Sequence, residues 1–488
     1  MTDNQIEIIR GERIIDYFLS NSGLIKNISR SEIEDLMTMC SCLLENSIAD
    51  LGTKSKALTV LYDIAFTDNI SLEEVWQIYW IISNQLFRNS SLNLIRGNVE
   101  NLYHYIFEFL QEYLKLDYPY LEINKRNKDV IVVITSQFLG INHAPTRRVL
   151  DYSYAIQREL KKKVVIINDA GLNFYRSKFL PNLFIPNYIS EYSKINTLPY
   201  KDEEFIFYQV DSHMPNINII VQLLNEIYEI NPLFVFNIGA SNLVTDLCSN
   251  FTTTASLPCS YNIPISRSNY LLVGRKLNNK DAARIAMNQS IIETMMNFNI
   301  DECCENYSRG QFGLSENSFV ISIVGNRLDD EMALEFLCLL SKVVELPDIH
   351  ILFIGNINNK ALIKEKIDEN KIHFAGSIPG ASKATKLCNV YLNPKRSGGG
   401  RSSFEALYYG VPVVTLEEGD VYYTSGNEFS VSNYSEMYDL LIKHYNDAVF
   451  HQEMKMKSIN RAKELSNIAE TQKIMIDEII RREEKINR

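Results

Sequence analysis

Positive charge is scarce in this 488-residue chain: 49 Lys and Arg stand against 60 Asp and Glu, for a formal net charge of −11 and a pI of about 5.3. That deficit argues against wrapping nucleic acid and leaves no cationic face for a membrane surface. Long apolar runs are missing too. None approaches the roughly 18 residues that a spanning helix requires, so no transmembrane segment is expected. The opening Met1-Thr2-Asp3-Asn4 is polar and acidic, unlike a secretion signal. Metal-type cysteine spacing is absent: the eight cysteines (40, 42, 248, 259, 303, 304, 338 and 388) include an adjacent pair and one Cys-x-Cys, neither of which is a zinc knuckle. Free thiols in a reducing cytoplasm are the expectation. No repeat of fixed period stands out, which removes solenoids. With 46% hydrophobic residues the chain can still build several cores, and its length suggests about two to four domains of a soluble, cytoplasmic protein.

Glycine and proline are nearly absent from residues 1–125, which suits a helical domain. Ser31-x-x-Glu34 and Ser71-x-x-Glu74 read as capping boxes, the second followed by Val75, Ile78, Tyr79 and Ile82 at helical spacing. At Lys128 the texture changes. Val130 to Ile134 is a continuous apolar run, the pattern of a strand buried on both faces. A helix from about Pro145 to Lys161, then Val164–Ile167, Phe205–Val210 and Leu233–Ile238, continue a strand–helix alternation. A second series begins near Ser318, with apolar runs at Phe319–Val324, Ile349–Ile354, Ile372–Gly376, Val390–Leu392 and Val411–Thr415. Ile468, Ile476, Ile479 and Ile480 on a charged background predict a closing amphipathic helix. The expected fold class is α/β: two facing Rossmann-like domains with a parallel sheet each, preceded by an all-helical domain. The expected boundaries are 1–125 (helical), 126–305 and 306–465 (Rossmann-like), and 466–488 (C-terminal helix).

Ligands of doubly wound sheets sit outside the carboxyl ends of the strands, so chemistry is sought in the loops there. The most informative is Asn393-Pro394-Lys395-Arg396-Ser397-Gly398-Gly399-Gly400-Arg401-Ser402-Ser403-Phe404-Glu405. A strand, a glycine loop and a helix start form an anion trap, with amide N–H groups and the helix dipole aimed at one place. A diphosphate fits over Gly398, Gly399, Gly400, Arg401, Ser402 and Ser403, with Arg396 adding charge and Glu405 holding a ribose hydroxyl. The bland reading is a turn followed by a Ser402-x-x-Glu405 capping box. Arg327, in the Gly325-Asn326-Arg327 loop, could reach an outer phosphate. Asp329-Asp330-Glu331 behind it reads as acidic enrichment of a first helical turn rather than a metal site. Ser377 and Ile378, in Phe374-Ala375-Gly376-Ser377-Ile378-Pro379-Gly380, could read a base edge. In the earlier series, Gly140, Asn142 and His143 follow the first strand, and Pro145 places His143 before a helix start. That histidine is a candidate acid–base or capping residue. Asn242 ends the loop after Leu233–Ile238.

These loops together resemble the GT-B glycosyltransferases over residues 128–488. The resemblance implies a nucleotide-sugar held mainly by the C-terminal domain and an acceptor on the N-terminal one, where Gly140, Asn142 and Asn242 would lie. Asn142-His143-Ala144-Pro145-Thr146 is similar to the Asn-His-Pro-Thr segment of O-GlcNAc transferase and the related bacterial adhesin glycosyltransferases, with one alanine inserted. In that group the histidine lies beside the reacting sugar, as a helical domain lies before the catalytic units. Glu405 stands where that group tends to have aspartate. A retaining group with a Glu-x7-Glu pattern fits less well, since its first glutamate falls on Ser397. The expectation is an inverting hexosyltransferase that moves sugar from UDP-GlcNAc or UDP-Glc to a protein or glycan acceptor. It would use no cofactor and no metal, His143 being base or sugar-positioning group. The helical domain could bind a protein partner. A retaining transferase of polysaccharide assembly, a nucleotide-sugar epimerase and a non-catalytic GT-B partner subunit or chaperone stay open.

Overall fold

The computed structural model describes residues 3–89, 91–182, 187–287, 289–300 and 304–486. Cys303 lies outside them, and none of the other cysteines forms a disulfide among the described residues. The chain forms two compact units, Met1–Thr294 with Gln472–Arg488, and Met295–Thr471.

The first unit opens with five helices: α1 (Asp3–Ser20), α2 (Arg30–Glu45), α3 (Leu51–Ile64), α4 (Leu72–Arg88) and α5 (Val99–Leu114). Ser71 and Glu74 do form the capping box that starts α4. At α2 the box is Ser29 with Glu32, not Ser31 with Glu34; Glu34 instead takes Arg30 Nε at 2.9 Å. Starting the helix at Arg30 turns Ile33, Leu36, Met37 and Cys40 inward.

The sheet that follows contains β1 (Val130–Thr135), β2 (Lys163–Asn168), β3 (Thr197–Tyr200), β4 (Glu203–Gln209), β5 (Val235–Ile238), β6 (Thr254–Leu257), β7 (Tyr270–Val273) and β8 (Ser290–Glu293), in the order β3-β4-β2-β1-β5-β6-β7-β8. All pairings are parallel except β3 with β4. Between strands lie α6 (Ala144–Tyr154), α7 (Ile217–Ile230), α8 (Leu243–Cys248) and α9 (Ala282–Ile285). The helix expected to reach Lys161 leaves α geometry at Ala155, where a π-turn carries it to Glu159.

Helices and sheet share one core, in which Ile33, Trp76, Leu102 and Ile106 join Val132, Ile134, Val165 and Val235. Polar contacts reinforce it: Trp76 Nε1 donates to Gly171 O at 2.8 Å and Tyr79 OH to Ser241 Oγ at 2.7 Å. The helical segment 1–125 is therefore packed onto the first sheet rather than standing as a separate compact unit.

The second unit is a sheet of β9 (Phe319–Val324), β10 (Ile349–Ile354), β11 (Ile372–Gly376), β12 (Val390–Leu392), β13 (Val413–Leu416) and β14 (Ser430–Val431), ordered β11-β10-β9-β12-β13-β14 and parallel throughout. Its helices are α10 (Leu328–Glu331), α11 (Leu334–Val343), α12 (Lys360–Lys366), α13 (Ala381–Thr385), α14 (Gly400–Tyr408), α15 (Gly419–Ser425), α16 (Tyr434–Asn446) and α17 (Ala448–Leu465). The last helix, α18 (Ile468–Ile486), returns the chain to the first unit. There Glu483 is buried among Arg126 Nη2 (3.5 Å), Tyr120 OH (3.5 Å), Tyr270 OH (2.8 Å) and Thr253 Oγ1 (2.5 Å), an anchor of one carboxylate by four donors. No helix among the described residues is long and apolar enough to cross a membrane.

Candidate functional site

Both strand orders reverse beside the first strand of their series, between β1 and β5 in one sheet and between β9 and β12 in the other. Crevices at such switch points are where doubly wound sheets bind ligands. In the second unit, the loops leaving β9 and β12 are Gly325–Arg327 and Asn393–Gly399.

They are knitted together by Arg396, whose side chain is only 4% exposed. Its Nε donates to Asn393 Oδ1 (2.7 Å), Nη1 to Val324 O (2.8 Å) and Glu331 Oε2 (2.9 Å), and Nη2 to Tyr391 OH (2.7 Å). Two glycines make room for this guanidinium. A Cβ at Gly325 would lie 2.6 Å from Arg396 Nη1, and one at Gly399, where φ is +94°, would lie 2.8 Å from Nη2. Gly399, expected to admit a ligand, thus first admits an arginine. Arg396, expected beside the diphosphate, has its donors directed to protein acceptors under the loop.

Above it, α14 starts at Gly400 with Gly399 as N-cap and no side-chain cap. Gly399 brings no side-chain oxygen of its own to the first-turn amides, an arrangement that suits an anion. The alternative Ser402–Glu405 capping box is not formed, because the helix begins two residues before Ser402. Ser402 Oγ bonds Gly399 O (3.0 Å) and Tyr391 OH (2.9 Å), while the buried Ser403 Oγ bonds Gly400 O at 2.8 Å. A chain of contacts thus runs from Glu331 through Arg396 and Tyr391 to Ser402. Glu405 accepts from Arg401 Nε at 3.0 Å, and Arg401 Nη2 also reaches Asn299 O.

Arg327 occupies the N-cap position of α10, about a third exposed, with Nη2 3.8 Å from Glu331 Oε1. The same nitrogen lies 3.2 Å from where a Cβ on Gly398 would be, so this cation borders the glycine loop. The acids beside it have structural work: Asp329 accepts the amides of Asn358 and Asn359, which holds the loop after β10, and Glu331 pairs with Arg396. Lys395 points outward to Glu418 at 3.1 Å. Ser377 is exposed and Ile378 half-buried after β11, where Gly376 takes a φ of +69°. Next to them Phe374 stacks on Phe353, centroids 5.2 Å apart.

In the first unit, the loop after β1 runs Ser136–His143. Gly140 takes a φ of +85° and its carbonyl accepts His143 N at 3.1 Å, closing a turn that delivers the chain to α6. His143 is the N-cap of α6 by position only, with no side-chain cap bond. Its Nδ1 lies 2.9 Å from Thr146 Oγ1, and burial pulls its pKa down to about 4, so the imidazole is neutral near pH 7. Asn142 is exposed. Asn242 is not: it caps α8 by accepting Thr245 N (2.7 Å), and its Nδ2 donates to Ser136 Oγ (3.0 Å) and Asp169 Oδ2 (2.8 Å). Asn242 therefore ties the ends of β1, β2 and β5 together beneath the surface.

Asp169 escaped the sequence reading, though it follows the strand Val164–Ile167. It is 2% exposed, and burial raises its pKa to about 7 against hydrogen bonds from Gly171 N, Asn242 and Ser136. Tyr391 was missed as well, Glu331 was read only as first-turn acidic enrichment, and Thr146 was quoted in the Asn142–Thr146 segment without a role of its own. The roles of Glu331 and Tyr391 are set by Arg396, a partner in another element, and that of Thr146 by His143 across a turn.

No protein-family model and no curated protein matches the sequence. Solved structures do match the fold. An O-GlcNAc transferase of Thermobaculum terrenum aligns over 99% of this chain and 98% of its own, at 11% identity and a TM-score of 0.58. A glycosyltransferase of Rickettsia africae aligns over 74% of this chain and 99% of its own, at 13% identity and a TM-score of 0.51. At such identities the likeness speaks for the fold alone. That fold is α/β of the GT-B type with a helical N-terminal region, and the chain resembles the GT-B glycosyltransferases.

Proposed function

We propose that this protein is a glycosyltransferase that takes a hexose from a uridine diphosphate sugar, UDP-GlcNAc or UDP-Glc, and passes it with inversion to a protein acceptor. The observation that carries the reading is the uncapped start of α14 at the second switch point, with Arg327 beside its glycine loop. Fixed amides and one bordering cation favour a diphosphate, and most of all one gaining negative charge as the glycosidic bond breaks. Metal ions have no assigned part, since Arg327 and the α14 amides supply the positive field. Glu405, one turn into α14, is the candidate for the ribose hydroxyls, and Ser377 and Ile378 for the base. The full-length likeness to an O-GlcNAc transferase, helical region included, favours GlcNAc as the sugar and a protein as the acceptor.

Calorimetry with UDP, UMP and ADP tests the reading. Binding of UDP that weakens at least tenfold for UMP is expected, followed by transfer of labelled sugar from UDP-GlcNAc to proteins of a cell lysate. UDP that fails to bind at millimolar concentration removes the proposal. Glu405→Gln should raise the donor KM with little change in melting; the opposite pattern assigns Glu405 to structure.

A further inference from the structure

The hydroxyl of Thr146 decides which nitrogen of His143 carries the proton. Thr146 is fully buried at the start of α6. Its Oγ1 accepts the amide of Leu139 at 2.9 Å and lies 2.9 Å from His143 Nδ1. A hydroxyl has one hydrogen to donate and two lone pairs. Leu139 occupies one lone pair, and among the described residues no acceptor other than His143 Nδ1 lies within hydrogen-bond reach of the hydroxyl. If Nδ1 carried a proton, both lone pairs would be used and a buried hydroxyl hydrogen would point at nothing, which folded proteins avoid. Donation from Thr146 to an unprotonated Nδ1 satisfies both groups. In a neutral ring the proton then sits on Nε2, which has no hydrogen-bond partner among the described residues.

We propose that His143 serves transfer as a hydrogen-bond donor, through Nε2–H, to an oxygen of the bound substrate, with Thr146 as the positioning residue that fixes this tautomer. The inference rests on the transferase reading and sharpens it. A ring with its proton on Nε2 has no lone pair there to accept the acceptor hydroxyl's proton, so His143 is not the general base. That proton must leave by another route, for which an oxygen of the departing diphosphate has the right chemistry. Burial, which keeps the ring neutral down to a pKa of about 4, preserves the donor across the physiological range.

The test is a long-range ¹H–¹⁵N spectrum of histidine-labelled full-length protein at pH 7, which separates the two neutral tautomers directly. His143 is expected as Nε2–H in the wild type and in Thr146→Ser, and as a mixture or Nδ1–H in Thr146→Val. A wild-type spectrum showing Nδ1–H, or one unmoved by Thr146→Val, overturns the proposal. UDP release from UDP-GlcNAc supplies the second readout. His143→Gln places an amide N–H near the position of Nε2 and should keep kcat within about tenfold of wild type, while His143→Ala loses about 10²–10⁴-fold. Equal loss in both, with disappearance of an acidic limb from the pH profile in both, would restore the base and overturn the donor. Should UDP not bind at all, the transferase reading falls, while the tautomer is still read from the spectrum.

Discussion

Replacing Arg396 by Met is the most exposing perturbation, because it separates a ligand-binding arginine from one that organises the loop. The guanidinium makes four donations to groups on β9, α10, β12 and the loop after it, and both ion-pair partners are nearly buried, at 4% and 8% exposure. Met fills much of the space but leaves Glu331 as an uncompensated carboxylate. Removing one partner of a buried pair costs about 3–5 kcal/mol. Each kcal/mol moves the Tm of a domain of this size by about 2–4 °C, so a drop of roughly 6–20 °C is expected by calorimetry. The double variant Arg396→Met, Glu331→Leu removes the stranded charge and should recover about half the loss or more. UDP affinity should fall in both variants, since Gly399 and Ser402 are held through Arg396 and Tyr391. A single variant that melts like the wild type yet loses UDP binding would refute the organising role and return Arg396 to the ligand. One that melts and binds like the wild type would refute both.

Arg327→Ala should leave melting nearly unchanged and weaken UDP by about 1.5–3 kcal/mol, the worth of a charge-assisted contact, while UMP binding changes less; calorimetry with both nucleotides decides. Gly399→Ala meets a φ of +94° and the Arg396 guanidinium at 2.8 Å, so chemical denaturation should show a loss of about 2 kcal/mol or more. Glu483→Ala strands the buried Arg126 and should cost about 3–5 kcal/mol, although the residue lies at the end of α18 far along the chain from the first sheet. The Asp169 carboxyl, raised to about 7 by burial, binds a proton more tightly folded than unfolded. Its contribution therefore favours the fold at low pH and is lost as pH rises from about 4 to about 7. A ¹³C carboxyl titration with its midpoint near the ordinary value of 3.8 would contradict this.

Sequence sufficed wherever a structural decision is local. Val130–Ile134 and Phe319–Val324 lie in strands buried on both faces, and such strands need unbroken apolar runs whatever surrounds them. The β6 sequence Thr-Ala-Ser-Leu and the two-residue β14 carry no such run; neighbouring strands recruit them by hydrogen bonding. Ser29-x-x-Glu32 and Ser31-x-x-Glu34 fit the capping pattern equally well, and burial of Ile33 and Leu36 chose between them. The strand–glycine–helix unit at 390–408 was legible because its glycines and strand are sequential. What only tertiary structure decided is the task of its charges. Arg396 looks free in sequence, yet Glu331, far upstream, claims it. Asn242 looks like a loop polar group, yet Asp169 and Ser136 bury it. A buried polar group must find its partners wherever the fold brings them, and a one-dimensional pattern holds no record of which distant donor and acceptor will meet.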